Sequence, residues 1–237
     1  MNPAVLCGVM LLARCVCGCT TATSPDREAA APVIRVACLG DSITGGAGLQ
    51  RPEEDSYPAQ LQRLLGRGWE VRRFAAGGAT VAGYPADALN EALAYEPQAV
   101  VILLGTNDAY QGLPNGRPAF ELAYEELIGS LMGLASTPRL WLCCPPACFR
   151  PEVKARLADE VIPAIEIVAA RKGLPVIDLF RMTRSARRRF PDGVHPDARG
   201  AQLIAREIYT GLTGERRRMK DRMGDYWRWA IKERRLY

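Results

Sequence analysis

Leu39-Gly40-Asp41-Ser42-Ile43-Thr44-Gly45-Gly46 follows an apolar, β-branched run that begins at Val33. The run predicts a strand, and the glycines predict a sharp turn directly after it that exposes the Ser42 side chain. In an open α/β sheet, ligands meet the protein at the carboxyl ends of strands. Three readings of the turn are open from these residues alone. Ser42 is a nucleophile, or Asp41 and Ser42 cap a helix, or the glycines cradle a phosphate at a helix N-terminus. The phosphate reading lacks a gripping lysine anywhere in 40–50.

Outward from this turn, the pattern alternates. Tyr57-Pro58 opens an amphipathic stretch with Leu61, Leu64 and Leu65 on one face, stopped at Gly66. A strand over 69–74 runs into Ala75-Ala76-Gly77-Gly78-Ala79-Thr80, and a helical pattern covers 85–95. Residues 98–104 are almost continuously apolar, as in a strand buried on both faces, and end in Gly105-Thr106-Asn107-Asp108. A helix over 120–135 and a strand over 139–144 follow, the strand broken by Pro145-Pro146. One long helix over 152–171, kinked by Pro163, leads to a fifth strand over 174–179. Pro191-Asp192-Gly193-Val194-His195-Pro196 then opens a last helix over 198–210. Five strand–helix alternations without an internal linker predict one α/β domain over 33–213, a doubly wound, five-stranded parallel sheet with helices on both faces.

The two ends differ from this body. Residues 5–13 are apolar but too short for a membrane-spanning helix, and they suit a secretory signal peptide. Val16-Cys17-Gly18-Cys19 resembles the lipobox of bacterial lipoproteins. Residues 1–18 are therefore expected to be a lipoprotein-type signal peptide, Cys19 the lipidated residue, and 19–32 a flexible tether. The expected destination is the periplasm or the cell surface. From Glu215 onward there are nine Lys/Arg and four acids, which carries the whole +5 formal charge of the chain. The neutral body gives no electrostatic case for nucleic acid. Residues 214–237, with Tyr226, Trp227, Trp229 and Ile231, are expected to form a docked helix with a solvated basic face; a membrane-surface or polyanion contact is the alternative. The cysteines outside the leader (Cys38, Cys143, Cys144, Cys148) form no disulfide framework and, beside a single histidine, no zinc pattern. They are expected to be buried thiols, with a Cys144–Cys148 bridge as an option in an oxidising compartment.

His195 is the one histidine among 237 residues, so an imidazole base for Ser42 has one candidate. Asp192, three residues earlier in a turn held by Gly193, can bond one ring nitrogen and leave the other facing the serine. The ordinary alternative is a surface turn. The N–H groups of Ser42 and Gly78 and the amide of Asn107 can supply an oxyanion cradle. Gly-Asp-Ser at 40–42, Gly78, Gly-Thr-Asn-Asp at 105–108 and Asp-Gly-Val-His at 192–195 occur in that order. With these four blocks the sequence resembles the SGNH hydrolases, the GDSL-type esterases, over residues 33–212. The first block reads Gly-Asp-Ser-Ile where the namesake has leucine, and Phe74-Ala75-Ala76 stands where relatives often carry asparagine or glycine.

The resemblance implies a flavodoxin-like sheet, Ser42 as nucleophile, His195 as base, Asp192 as its orienter, and an oxyanion hole from Ser42, Gly78 and Asn107. Ser56-Tyr57-Pro58, Gly-Thr-Asn-Asp-Ala and Phe-Pro-Asp-Gly-Val-His-Pro look most like the bacterial carbohydrate O-acetylesterases, the sialate O-acetylesterase type among them. It follows that the expected substrate is a small acylated sugar or a polysaccharide, that acetyl is the expected group removed, and that no metal or cofactor is needed. Asp41, Tyr57, Tyr84, Tyr110 and Arg51 are the expected rim contacts. A lysophospholipase or thioesterase of the same fold, and a sugar-binding lipoprotein without turnover, are the alternatives.

Overall fold

The computed structural model describes residues 32–215. The leader, Cys19, the tether up to residue 31 and the basic aromatic tail from residue 216 lie outside the described residues. The chain runs β1 (Ile34–Gly40), α1 (Ser42–Gly45), α2 (Pro52–Asp55), α3 (Tyr57–Leu65), β2 (Trp69–Ala75) and α4 (Ala86–Ala94). It continues with β3 (Ala99–Leu103), α5 (Thr106–Gln111), α6 (Gly116–Met132), β4 (Arg139–Cys144) and α7 (Pro151–Arg156). The last elements are α8 (Ile162–Lys172), β5 (Val176–Asp178), α9 (Leu179–Thr183) and α10 (Ala198–Thr213).

The strands form one sheet in the order β2-β1-β3-β4-β5, and every neighbouring pair is parallel. Successive side chains of a strand point to opposite faces, and both faces are covered. Ala37, Leu39, Val100 and Ile102 belong to a core built with α4, α6 and α8. Val36, Cys38, Val101 and Leu103 belong to the other, built with α3 and α10. Ala201, Ile204, Ala205, Ile208 and Leu212 supply the buried stripe of α10 at helical spacing. The order of strand addition reverses between β1 and β3, and an open α/β sheet places its crevice outside the carboxyl ends at such a point. Ser42 stands one residue beyond β1's end, after Asp41, and Thr106-Asn107 follow β3's end after Leu104 and Gly105.

The long helix, the fifth strand and three short helices differ from the sequence expectation. The long helix over 152–171 is α7, a π-turn at Leu157–Val161 and then α8, with Pro163 in the first turn of α8. Proline has no N–H for the Asp159 carbonyl, and its ring needs room there, which a wider turn provides. The fifth strand is three residues long because Asp178 ends it: its carboxylate accepts the Arg181 N–H at 2.9 Å and caps α9. The short helices α2, α5 and α9 carry too few periodic residues to have been predicted. Cys38, Cys143, Cys144 and Cys148 are all buried free thiols, so Cys144 and Cys148 do not bridge.

Candidate active site

Asp41 terminates β1 and caps α1, its carboxylate accepting the Ile43 N–H at 2.9 Å. This places Ser42 at the first position of a helix, where its N–H has no intrahelical acceptor. The turn depends on Gly40: a Cβ there would run into Thr44 Oγ1 and lie 2.7 Å from the Leu103 carbonyl. Ser42 Oγ lies 2.9 Å from His195 Nε2, and His195 Nδ1 lies 2.6 Å from Asp192 Oδ2. Asp192 Oδ1 also accepts the N–H groups of Val194 and His195, each at 2.8 Å. Burial raises the Asp192 pKa, but the bonds from the His195 ring and from these two N–H groups outweigh it and bring the carboxyl down to about 2. An ionised carboxylate only accepts, so Nδ1 carries the ring proton and Nε2 is left to accept from the Ser42 hydroxyl. This arrangement can draw a proton from Ser42 and stabilise the imidazolium that results.

Gly78 has φ of +78°, a conformation that favours glycine, and a Cβ there would meet nothing within 4 Å. It lies exposed in the loop after β2, and among the described residues its N–H makes no hydrogen bond. Asn107, in the first turn of α5, donates from Nδ2 to the Ala79 carbonyl at 2.9 Å and to Asp41 Oδ2 at 3.3 Å. It thus ties the ends of β1 and β3 to the loop after β2.

Of the expected rim contacts, the structure removes two from the substrate-facing set. Tyr57 is 1% exposed, its hydroxyl 3.1 Å from Thr44 Oγ1, because its ring fills the core between α3 and β1. Asp41 is also 1% exposed, and its two oxygens are taken by Ile43 and Asn107. Burial pushes its carboxyl up to about 7; the Ile43 bond and the nearby His195 oppose the shift. Tyr84 is half-buried and donates its hydroxyl to the Phe74 carbonyl at 2.6 Å, which commits it to holding the end of β2. The Arg51 guanidinium is committed to Glu54 and Asp55, at 2.7 and 3.2 Å. Tyr110 is 36% exposed at the end of α5.

The pattern of the GDSL-like lipase/acylhydrolase family matches residues 38–203. The chain belongs to that family. An acetylxylan esterase of Xylanibacter ruminicola is 33% identical over 206 residues, which span 76% of this chain and 43% of that protein. Among solved structures, an acetylxylan esterase of Geobacillus stearothermophilus, solved as a catalytic mutant, superposes with a TM-score of 0.65 at 18% identity. That match covers 80% of this chain and 99% of the other. A lipase/acylhydrolase of Enterococcus faecalis superposes with a TM-score of 0.64 at 24% identity, over 78% of this chain and 100% of the other. These two likenesses establish a shared fold.

Within this GDSL-type site, two supporting contacts were not read from the sequence. Both oxygens of Asp108 accept the Val81 N–H, at 3.1 and 3.3 Å, which fastens the Gly78 loop to α5. Burial pushes its carboxyl up to about 6, against the pull of the Val81 bond. An acid beside Asn107 in an apolar setting was the available signal. Phe149 donates its N–H to the Gly193 carbonyl at 2.7 Å and so braces the Asp192–His195 loop from outside. No local pattern announces that second contact.

Proposed function

We propose that this chain is a serine carboxylic ester hydrolase that removes small acyl groups, acetyl foremost, from carbohydrate hydroxyls. The observation that carries the reading is the continuous line from Ser42 Oγ through the His195 ring to Asp192, with links of 2.9 and 2.6 Å. Ser42 Oγ adds to the ester carbonyl as its proton passes to His195 Nε2, and the Asp192 carboxylate stabilises the imidazolium. The negative charge that builds on the carbonyl oxygen is met by the N–H groups of Ser42 and Gly78 and by the Asn107 amide. Collapse of this intermediate expels the sugar oxygen, which takes the proton from Nε2. Water then attacks the acyl-serine with His195 again as base, and the carboxylic acid leaves. The acetylxylan esterase relative supports a carbohydrate as the alcohol side.

The test is hydrolysis by the purified chain of a panel holding p-nitrophenyl acetate and octanoate, acetylated oligosaccharides and polysaccharides, and lysophospholipid. Acetate should be released from acetylated glycans, and the acetyl ester should be cleaved far faster than the octanoyl one. A preference for octanoate or lysophospholipid would establish the lysophospholipase or thioesterase reading instead. Binding of sugars without hydrolysis of any ester would leave a sugar-binding protein. The same proposal takes the leader as a lipoprotein signal with Cys19 as anchor. Cells fed labelled fatty acid should label the wild-type protein and not Cys19→Ala; equal labelling of both would refute it.

A further inference from the structure

Tyr110 and Arg150 lie on different elements, at the end of α5 and immediately before α7, yet they meet. The Arg150 guanidinium carbon is 5.9 Å from the centre of the Tyr110 ring. The ring itself is held in place. Its hydroxyl lies 3.9 Å from Cys148 Sγ, and Arg156 donates to the carbonyls of Ala109 and Tyr110 at 3.2 and 3.3 Å. An aromatic face so fixed favours one placement of a guanidinium over it.

The pair stands beside the catalytic loop. A Cβ at Gly193 would lie 3.8 Å from Arg150 Cγ, and the neighbouring Phe149 N–H is bonded to the Gly193 carbonyl. The charge of Asp192 also reaches the Tyr110 hydroxyl. Burial chiefly, then Cys148, against Arg150 and with a small addition from Asp192, raise that group to about 12, so Tyr110 stays a neutral donor. Arg150 is exposed, and no carboxylate of the described residues comes within 4 Å of its guanidinium. Asp192 is engaged by His195, and Glu152, two residues along the chain, does not pair with Arg150. Arg187, by contrast, lies 5.5 Å over the neighbouring Phe149 ring and donates to the Phe190 carbonyl at 2.6 Å.

We propose that Tyr110 and Arg150 form a subsite for the carboxylate of an acidic sugar, so that the preferred substrate is an acetylated glycan bearing uronate groups. The inference rests on the carbohydrate-esterase reading above and gives that site its substrate class. A guanidinium with a free fork recognises a carboxylate through two parallel charge-assisted bonds. Tyr110 backs the guanidinium and holds the fork toward the substrate. Neutral acetylated glycans would reach Ser42 but leave this group without a partner.

The test compares one acetylated xylo-oligosaccharide in two forms, with its uronate side group as the free carboxylate and as the primary amide. The wild type should show a kcat/KM about fivefold higher for the carboxylate, the upper order expected of one charge-assisted contact at an exposed site. Arg150→Gln should bring that ratio to about one, while Arg150→Lys, which keeps the charge and loses the fork, should fall between. Added salt should shrink the wild-type ratio. A wild-type ratio of one overturns the proposal with no variant needed, and so does a ratio that survives in Arg150→Gln. If p-nitrophenyl acetate is cleaved but neither oligosaccharide is, the carbohydrate reading has failed and the subsite falls with it. Cleavage of both at equal rates sinks the subsite alone.

Discussion

Asn107 has two amide hydrogens and, in this structure, two acceptors inside the protein, the Ala79 carbonyl at 2.9 Å and Asp41 Oδ2 at 3.3 Å. It can serve a developing oxyanion only by giving up one of them, and the longer bond to Asp41 is the weaker. Asn107→Ala should lower kcat by roughly 10²–10³ with little change in KM if it donates to the oxyanion. It should also lower the melting temperature, because two ties between the strand ends are cut. A destabilised but fully active variant would remove Asn107 from the oxyanion set. Asp192 offers the cleaner separation of roles. Asp192→Asn keeps an oxygen for the Val194 and His195 N–H groups but reverses the tautomer preference of His195. Its kcat should fall by about 10⁴, far out of proportion to the modest fall in melting temperature expected from losing the charge-assisted bonds to His195 and Val194. Ser42→Ala should be inactive, folded and unreactive toward an organophosphonate that labels the wild type once. Retained turnover would displace Ser42 as nucleophile.

At the scale of elements, the site depends on how abruptly β1 becomes α1. A four-residue helix has almost no stability of its own, so α1 is held by the Asp41 cap and by Thr44 folding back over Gly40. Gly40→Ala should cost about 1–3 kcal/mol, as overpacking does, and should lower kcat because relief of the clash moves Ser42. In a Thr44→Ala background the same change should cost less, since the nearest of the three colliding atoms, the Thr44 hydroxyl oxygen, is gone, while the Leu103 carbonyl at 2.7 Å and the Cβ of residue 44 at 2.8 Å remain. Equal costs in both backgrounds, read by denaturant unfolding, would mean that Thr44 is not the obstacle. The π-turn before α8 acts on β3's end in a similar way. Val161, at the turn's end, occupies the space that a Cβ on Gly105 would need, 2.8 Å away.

For the whole molecule, buried carboxyls at the site set a pH dependence of stability. Asp41 and Asp108 ionise near 3.8 when free of their surroundings, but in the fold at about 7 and about 6. Between these values the folded chain holds protons that the unfolded chain has released, so stability falls as pH rises from about 4 to about 7. Asp192 has the opposite sign: with a folded value of about 2, its contribution is complete above about 4 and is lost on further acidification. The melting temperature should therefore peak near pH 4 and decline toward 7. In Asp41→Asn the decline should be shallower. An unchanged slope in that variant would show that Asp41 does not titrate in this window.

The sequence determined the five strands and their polar ends, because apolar runs and the glycines that break them are local features. It also named the candidates for the site: one histidine offers one base for Ser42, and four short blocks fall at strand ends or on the loop before α10. Tertiary structure decided what those local patterns cannot carry. Tyr57 and Tyr110 both neighbour a motif, yet one is core and the other rim, since only the packing of α3 on β1 buries a ring at position 57. Asp41 and Ser42 are adjacent, yet Asp41 is sealed and Ser42 is only partly buried, because α1 starts between them, with Asp41 as its cap. Ser42 and His195 are 153 residues apart in the chain, and Arg150 reaches the catalytic loop across a similar fold of the backbone. Such meetings depend on the order in which strands add to the sheet, and that order is fixed by how helices cover its two faces.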